Sequence, residues 1–391
     1  MNPRSAYLDR TEKLYETEGN LFEFEAVVIS CEREGDIFLT ELDRTAFFPE
    51  GGGQNADGGE IDGAAVSFVE IREGRILHHT EREFAMGDRV KGRIDAGTRR
   101  RRMQNHSAEH IVSGLIHRLF SIENAGFHMS GNEFTVDTSA PLSAEMVERV
   151  ETLANRAVWE NKRIICRYPT DDELAVADYR SKTELEGRIR LVEIEDYDIC
   201  ACCAPHLDRT GEIGLIIVKS FIKYKKGVRL TVAAGEDAFE YIREIKRNAC
   251  EIGRTYSVQP EDTYAAVCRR EEQIEKKLLA ARALREKLLE LRLGEIEPTD
   301  KNICLFEEDC DSGMLKKLAN DGMKLTTGVF AAFSDNGRGG YNYFAATSEG
   351  ELSSLAADMR ERLGGKGGGR GSMISGFVEA TEGEILEFFG A

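Results

Sequence analysis

Two residue pairs in this chain have the types and spacing to hold a metal ion. His106 and His110 stand four apart in QNHSAEHIVSGLIHRL, Gln104 to Leu119. Four residues is close to one helical turn, so on a helix both imidazoles project from one face about 6 Å apart, within reach of one ion. Further on, Cys202 and His206 form C-x-x-x-H inside YDICACCAPHLDRTGEIG, Tyr197 to Gly214, with Cys200 and Cys203 as further thiols. Pro205 argues against a helix interior, so this pair is expected in a turn. Two histidines on a helix plus a Cys/His turn make a four-ligand set of the kind zinc favours. The histidine pair by itself is also compatible with two surface or hydrogen-bonded histidines. The apolar residues of the stretch, Ala108, Ile111, Val112, Leu115, Ile116 and Leu119, gather away from the histidines, which must then look at solvent or at another layer. His117 lies about 10 Å further along the axis than His110, and with His78, His79 and His128 it is read as a non-ligand.

Two other kinds of stretch bear on chemistry. Thr45 to Asp57 reads TAFFPEGGGQNAD, and its glycines allow positive φ and close approach of the backbone to another group. An ordinary glycine-rich hairpin meets the same pattern, and no Gly-Lys-Ser/Thr follows, so it is not a P-loop. The net charge of −18 points away from a general nucleic-acid binder. Local basic runs stand against that total: Arg99 to Arg102 directly precede the histidine stretch, and Lys219, Lys223, Lys225, Lys226 and Arg229 cluster later. Beside the candidate site, Arg99, Arg100, Arg102, Lys223, Lys225 and Lys226 are expected to hold a phosphate backbone.

The elements that must position these residues predict an α+β protein. A small β-barrel subdomain is expected over 1–98, from the alternation Phe22, Phe24, Ala26, Val28 and turn signals at Gly35, Asp57, Asp62 and Gly87. A zinc-binding α+β domain is expected over 99–250. It contains a strand at 132–138, a helix over 143–163 capped by Ser143 with Met146, Val150, Leu153 and Ala157 as its buried stripe, and a strand at Ile189–Ile194. Over 251–297 a long coiled-coil-like helix is expected, with Tyr264, Val267, Ile274, Leu278, Ala281, Leu284, Leu288 and Leu291 as its seam. That seam either packs on its own domain or pairs two copies in a homodimer. A C-terminal α/β domain is expected over 298–391, in which the glycine loop Leu363 to Ser372 bears Lys366 and Arg370 and would press against phosphate or RNA.

Nine cysteines, an odd number, fit reduced thiols and metal ligation better than a disulfide frame. No apolar run has the length of a membrane span, and the charged N-terminus carries no signal for secretion. The expected compartment is cytoplasmic, with no membrane partner.

The order T-x-F-F-P-E-G-G-G-Q-x-x-D, then G-D-x-V-x-G-x-I-D at Gly87 to Asp95, then H-S-A-E-H, then C-x-x-x-H before T-G-E-I-G closely resembles the editing domain of alanyl-tRNA synthetase and its freestanding AlaX relatives, from about residue 11 to about residue 240. The late G-G-x-G-G-G-R loop after a long helix resembles the C-terminal domain of the same synthetase. The resemblance implies a zinc-dependent hydrolase that removes serine, and glycine as a second candidate, from alanine-specific tRNA. It implies zinc ligands His106, His110, Cys202 and His206, a substrate-hydroxyl contact at Thr45, and Gln54 near the reacting ester. It also implies tRNA binding and dimer contacts in the C-terminal part. The chain departs from the family's C-G-G-T-H turn, reading Cys202-Cys203-Ala204-Pro205-His206, and has Phe48 where tyrosine is common.

Two rivals arise from the same residues. His106-Ser107-Ala108-Glu109-His110 satisfies H-x-x-E-H, the inverted zinc-peptidase motif, with Glu109 as general base. The closed four-ligand set also fits a tRNA-binding protein whose zinc is structural.

Overall fold

The computed structural model describes residues 11–181 and 188–391, which divide into two compact units between Ile252 and Gly253. This division is coarser than the four parts expected from the sequence: barrel and histidine helix share the first unit.

In that unit the chain begins with β1 (Glu12–Lys13), β2 (Glu23–Glu34), β3 (Ile37–Leu42), β4 (Arg44–Thr45), β5 (Gly59–Ile61), β6 (Ala64–Arg72), β7 (Arg75–Thr80) and β8 (Arg89–Ile94). Six of these close into a barrel in the order β2-β3-β7-β6-β5-β8, while β1 pairs with β4 in parallel. Alternation drives the closure: Phe24, Ala26 and Val28 point inward with Val66, Val90 and Ile94, whereas Glu23 and Glu25 face water.

Asp95 then caps a 25-residue helix, α1 (Ala96–Phe120), accepting a hydrogen bond from the Thr98 amide. The helix is buried from Met103 to Ile116. Its apolar side, with Ile111, Val112 and Leu115, shares a core with α2 (Ala144–Glu160) and a four-stranded sheet ordered β14-β15-β10-β9. That sheet comprises β9 (Asn124–Ser130), β10 (Glu133–Thr138), β14 (Ile216–Tyr224) and β15 (Gly227–Ala234). Ser143 caps α2 as expected, but the buried stripe is turned by about one residue, to Val147, Val150, Ala154, Ala157 and Val158. A second, antiparallel sheet joins β11 (Ile164–Arg167), β12 (Leu191–Ile194) and β13 (Asp198–Ala201); α3 (Asp171–Val176) is a short helix, and α4 (Gly235–Tyr256) runs through the boundary at Ile252.

The second unit opens with α5 (Thr263–Gly294), followed by β16 (Ile303–Phe306), α6 (Ser312–Gly322), β17 (Val329–Asp335), β18 (Tyr341–Thr347), α7 (Ser353–Arg362), β19 (Lys366–Gly368), β20 (Met373–Val378) and α8 (Glu382–Phe389). Its sheet runs β16-β17-β18-β20-β19. Met314, Leu315 and Leu318 of α6 cover one face against Phe330 and Ala332, and α7 and α8 cover the other with Met359, Ile385 and Phe389. The expected seam of α5 is not what packs here. Leu289 is buried with Met314 and Leu318, while Tyr264, Ile274, Leu278, Leu284, Leu288 and Leu291 are exposed. The expected glycine loop is partly the edge strand β19, paired with β20; the Tyr343 ring of β18 reaches across Gly376 of β20, so that a Cβ at Gly367 would strike its hydroxyl. Among the described residues no helix is long and apolar enough to cross a membrane, and all nine cysteines are free.

A candidate metal centre in the wall of a cavity

The helical spacing of α1 brings the rings of His106 and His110 to 5.4 Å, centroid to centroid. The hairpin β12–β13 then delivers the loop 202–206, which puts the His206 ring 4.7 Å from each of the other two. Cys202 Sγ lies 3.5 Å from His206 Nε2 and 3.7 Å from His106 Nε2. One donor atom from each of the four residues lies within 4.8 Å of all the others. Zinc–nitrogen and zinc–sulfur bonds of ordinary length, set at tetrahedral angles, separate nitrogen from sulfur by about 3.6 Å.

The outer nitrogen of each imidazole is held. His106 Nδ1 donates to Gln54 Oε1 at 2.8 Å, and His110 Nδ1 donates to Asp198 Oδ2 at 2.9 Å. His206 Nδ1 pairs with Ser107 Oγ at 3.1 Å. With Nδ1 protonated, Nε2 of His106 and His110 carries a lone pair and faces the cluster, which is how supporting partners prepare imidazole to ligate. Among the described residues, His110 Nε2 is moreover buried with no hydrogen-bond partner, an arrangement that a cation between the donors would satisfy. The residues therefore fit a zinc ion.

Asp198 is itself fixed by Arg180, whose Nε and Nη2 reach its two oxygens at 2.7 and 2.8 Å. His110, Asp198 and Cys200 also come together. Arg180 occupies that carboxylate, and burial pushes the Cys200 thiol up to about 11, so this trio supports the first cluster. Gln54 is delivered by the glycine loop: Gly51 and Gln54 bridge, and the Gly53 carbonyl accepts from the Met129 amide at 3.0 Å. Gly53 has φ +84° and a Cβ there would hit the Phe127 ring, so only glycine lets the loop press onto β9.

Some expected contacts are corrected. Arg99 is fully buried; its guanidinium binds the Asp57 carboxylate and the Ala46 and Gly19 carbonyls, pinning α1 to the barrel, and it offers no surface to a phosphate. Arg102, one turn on, follows it inward to Asp57 and Ala56. The reason is geometric: four consecutive residues on a helix point in four directions, and one of them had to meet the barrel. Arg101 is engaged by Glu236 and Glu240, while Arg100 remains half exposed with Glu212 at 3.8 Å. Lys223, Lys225 and Lys226 are exposed on the β14–β15 hairpin, and Lys366 and Arg370 are exposed in the second unit.

Thr45 is fully buried in the barrel. His78 donates from Nδ1 to the Thr40 carbonyl, so its Nε2 accepts from the Thr45 hydroxyl at 2.8 Å, and that oxygen accepts from the Phe47 amide at 3.1 Å. Burial pushes His78 down to about 4, which keeps it neutral. Glu109 is buried as well, accepting from Ser113 Oγ at 2.6 Å and Asn124 Nδ2 at 2.7 Å. Neither Thr45 nor Glu109 lines the cavity. That cavity, of about 580 Å³, is walled by His106, His110 and Cys202, with Gly52 and Phe127 on one side and Tyr168 and Arg188 on another. Sequence reasoning missed Ser107, Asp198, Arg180 and Phe127. Ser107 and Asp198 stand close to ligands in sequence, but nothing in their spacing singles them out.

Residues 189–230 match the family described as the threonyl and alanyl tRNA synthetase second additional domain. An alanine–tRNA ligase of Natronomonas pharaonis is 33% identical over 74% of this chain and 33% of its own length. One from Methanopyrus kandleri is 30% identical over 94% of this chain and 43% of its length. The chain thus spans about a third of the first of these ligases. It is similar to part of these alanine–tRNA ligases, and the ligand loop 202–206 lies within the residues that match the family. More particularly, it is similar along its length to the alanyl-tRNA editing protein AlaX-L of Pyrococcus horikoshii, at 26% identity over 96% of both chains.

Proposed function

We propose that this chain is a zinc-dependent aminoacyl-tRNA deacylase that hydrolyses the ester of serine, with glycine as a second substrate, wrongly joined to alanine-specific tRNA. The observation that carries the reading is the convergence of three imidazole nitrogens and a thiol on a cavity wall, in a chain that matches an alanyl-tRNA editing protein over its length. His106, His110, Cys202 and His206 would hold the ion, and bound zinc supplies Lewis-acid polarisation at that wall. The protein's own part is positional. Gln54 and Asp198 keep the protons of His106 and His110 on Nδ1, Arg180 keeps Asp198 in place, and Phe127 with the glycine loop narrows the cavity beside them.

The chemistry has a clear use. A synthetase pocket for alanine cannot strongly exclude serine, which adds a hydroxyl, or glycine, which lacks a methyl, whereas a second hydrolytic site can. Thr45 enters this reading only if substrate binding uncovers it. Its hydroxyl proton is committed to His78, so it would meet the serine hydroxyl as an acceptor. Arg100, Lys223, Lys225, Lys226, Lys366 and Arg370 are the exposed cations we assign to the tRNA backbone. We assign the outward seam of α5 to a homodimer contact, and the cytosol as the compartment.

The test is hydrolysis of Ser-, Gly- and Ala-tRNA, all charged on alanine tRNA, by native protein and by His106→Ala. Loss of serine or glycine with alanine spared, abolished in the variant, is expected. A second reading, an RNA-binding protein with structural zinc, is favoured by one observation: four protein donors complete a tetrahedron. Metal and tRNA bound without any ester turnover would establish it instead.

A further inference from the structure

We propose that Tyr168 and Arg188, with Lys13, form a nucleotide subsite on the cavity wall, gripping the terminal base and phosphodiester of an RNA whose ester lies toward the ligand cluster. The identity of the ester rests on the deacylase reading above; the subsite rests on its own geometry.

The Arg188 guanidinium lies over the Tyr168 ring, 4.4 Å from its centroid. Both residues line the cavity that His106 and Cys202 wall, and Arg188 is exposed to it. A planar cation stacked on an aromatic ring is the arrangement on which unpaired RNA bases stack, because every base has a π-face. The ring is held in place: the Tyr168 hydroxyl donates to Glu16, whose carboxylate also meets Lys13 Nζ at 3.6 Å. This part of the wall is joined to the metal loop. Buried Arg190 donates to the Glu16 carbonyl at 2.9 Å and to the Cys202 and Ala204 carbonyls at 2.8 and 3.0 Å, so the distance from stack to cluster is set by the fold. Charge agrees. Among the described residues, Lys13, Arg188 and Arg190 stand against one carboxylate, that of Glu16, on this wall, in a chain of net charge −18, and a local positive field in a cleft draws an anionic ligand. The cavity's size of about 580 Å³ is more than a seryl group requires and falls in the range of about 300–1,000 Å³ typical of sites for larger ligands.

The experiment uses the full chain and the ribotrinucleotide CCA, the sequence that ends every tRNA, with no amino acid attached. Calorimetric titration is expected to show binding that weakens about tenfold in Tyr168→Ala and in Arg188→Ala and stays within about twofold in Tyr168→Phe, which keeps the ring. Lys13→Ala is expected to flatten the dependence of log affinity on log salt by about 0.7. With mischarged tRNA, Arg188→Ala should raise KM and leave kcat in place. Arg188 is exposed, so this variant does not depend on refilling a core; an unchanged melting temperature and metal content would verify that. Equal CCA affinity in native protein and both alanine variants overturns the subsite, as does hydrolysis of charged tRNA by native protein that fails to bind CCA. The expected CCA pattern without hydrolysis of any charged tRNA would sink the deacylase reading and leave the subsite standing.

Discussion

The two longest helices of this chain treat their surroundings in opposite ways. α1 is buried along the stretch that carries the histidines, whereas α5, at 32 residues, buries only Ala266 and Leu289, packs Leu293 partly on the core, and turns its other leucines outward. A helix enclosed on all sides keeps polar residues only where each meets a matched partner, because a buried polar group left unpaired is costly. α1 has those partners: Asp57 for Arg99, Asp198 for His110, Gln54 for His106, Ser113 and Asn124 for Glu109. The enclosure that makes α1 demanding also holds its histidines in one orientation, which a ligand cluster requires. The outward residues of α5 have no such buried partners to match.

The contrast can be broken most forcefully at Arg99. Arg99→Ala leaves the buried Asp57 with only the Phe48 amide and the longer 3.5 Å pairing to Arg102 and is expected to cost about 3 kcal/mol in denaturant unfolding of the first unit; a loss below about 1 kcal/mol would mean that α1 does not depend on its partners. The same measurement on α5 should separate two leucines. Leu289→Ala, at 4% exposure, is expected to lose about 2–5 kcal/mol, and Leu278→Ala to stay within about 0.5 kcal/mol. Asp198→Ala sharpens the comparison at the site: zinc affinity, read by chelator competition, should fall about 10–100-fold with the helix still folded. Thr45→Val asks least of the structure. Leaving His78 Nε2 without its donor should cost about 1–3 kcal/mol, and any loss of preference for serine over alanine would place Thr45 in contact with substrate.

His78 adds a pH signature to the barrel. Its folded value near 4 lies below the ordinary 6.5, so below pH 6.5 the unfolded chain takes up the proton first. Stability is therefore lost as pH falls from about 6.5 toward 4, by up to about 3 kcal/mol, and His78→Gln should remove that part of the acid sensitivity in a series of melts.

How much could be read without coordinates depended on distance along the chain. His106 and His110 were legible because the helix repeat alone makes them neighbours, and Cys202 and His206 because a proline marks their turn. The caps at Ser143 and the strand alternation at Phe24 to Val28 were legible for the same local reason. The fate of the arginine run was not. A run of like charge reads as one basic patch, yet Arg99 and Arg102 face the barrel and only Arg100 keeps half its surface in water.

The sequence by itself determined the donor types, their pairing within each segment and the periodicity of the elements that carry them, since these follow from bond geometry a few residues at a time. The tertiary structure alone decided what stands behind each donor. Gln54 lies 52 residues from His106 and Asp198 lies 88 from His110, and contacts over such separations exist only once barrel, helix and hairpin have packed.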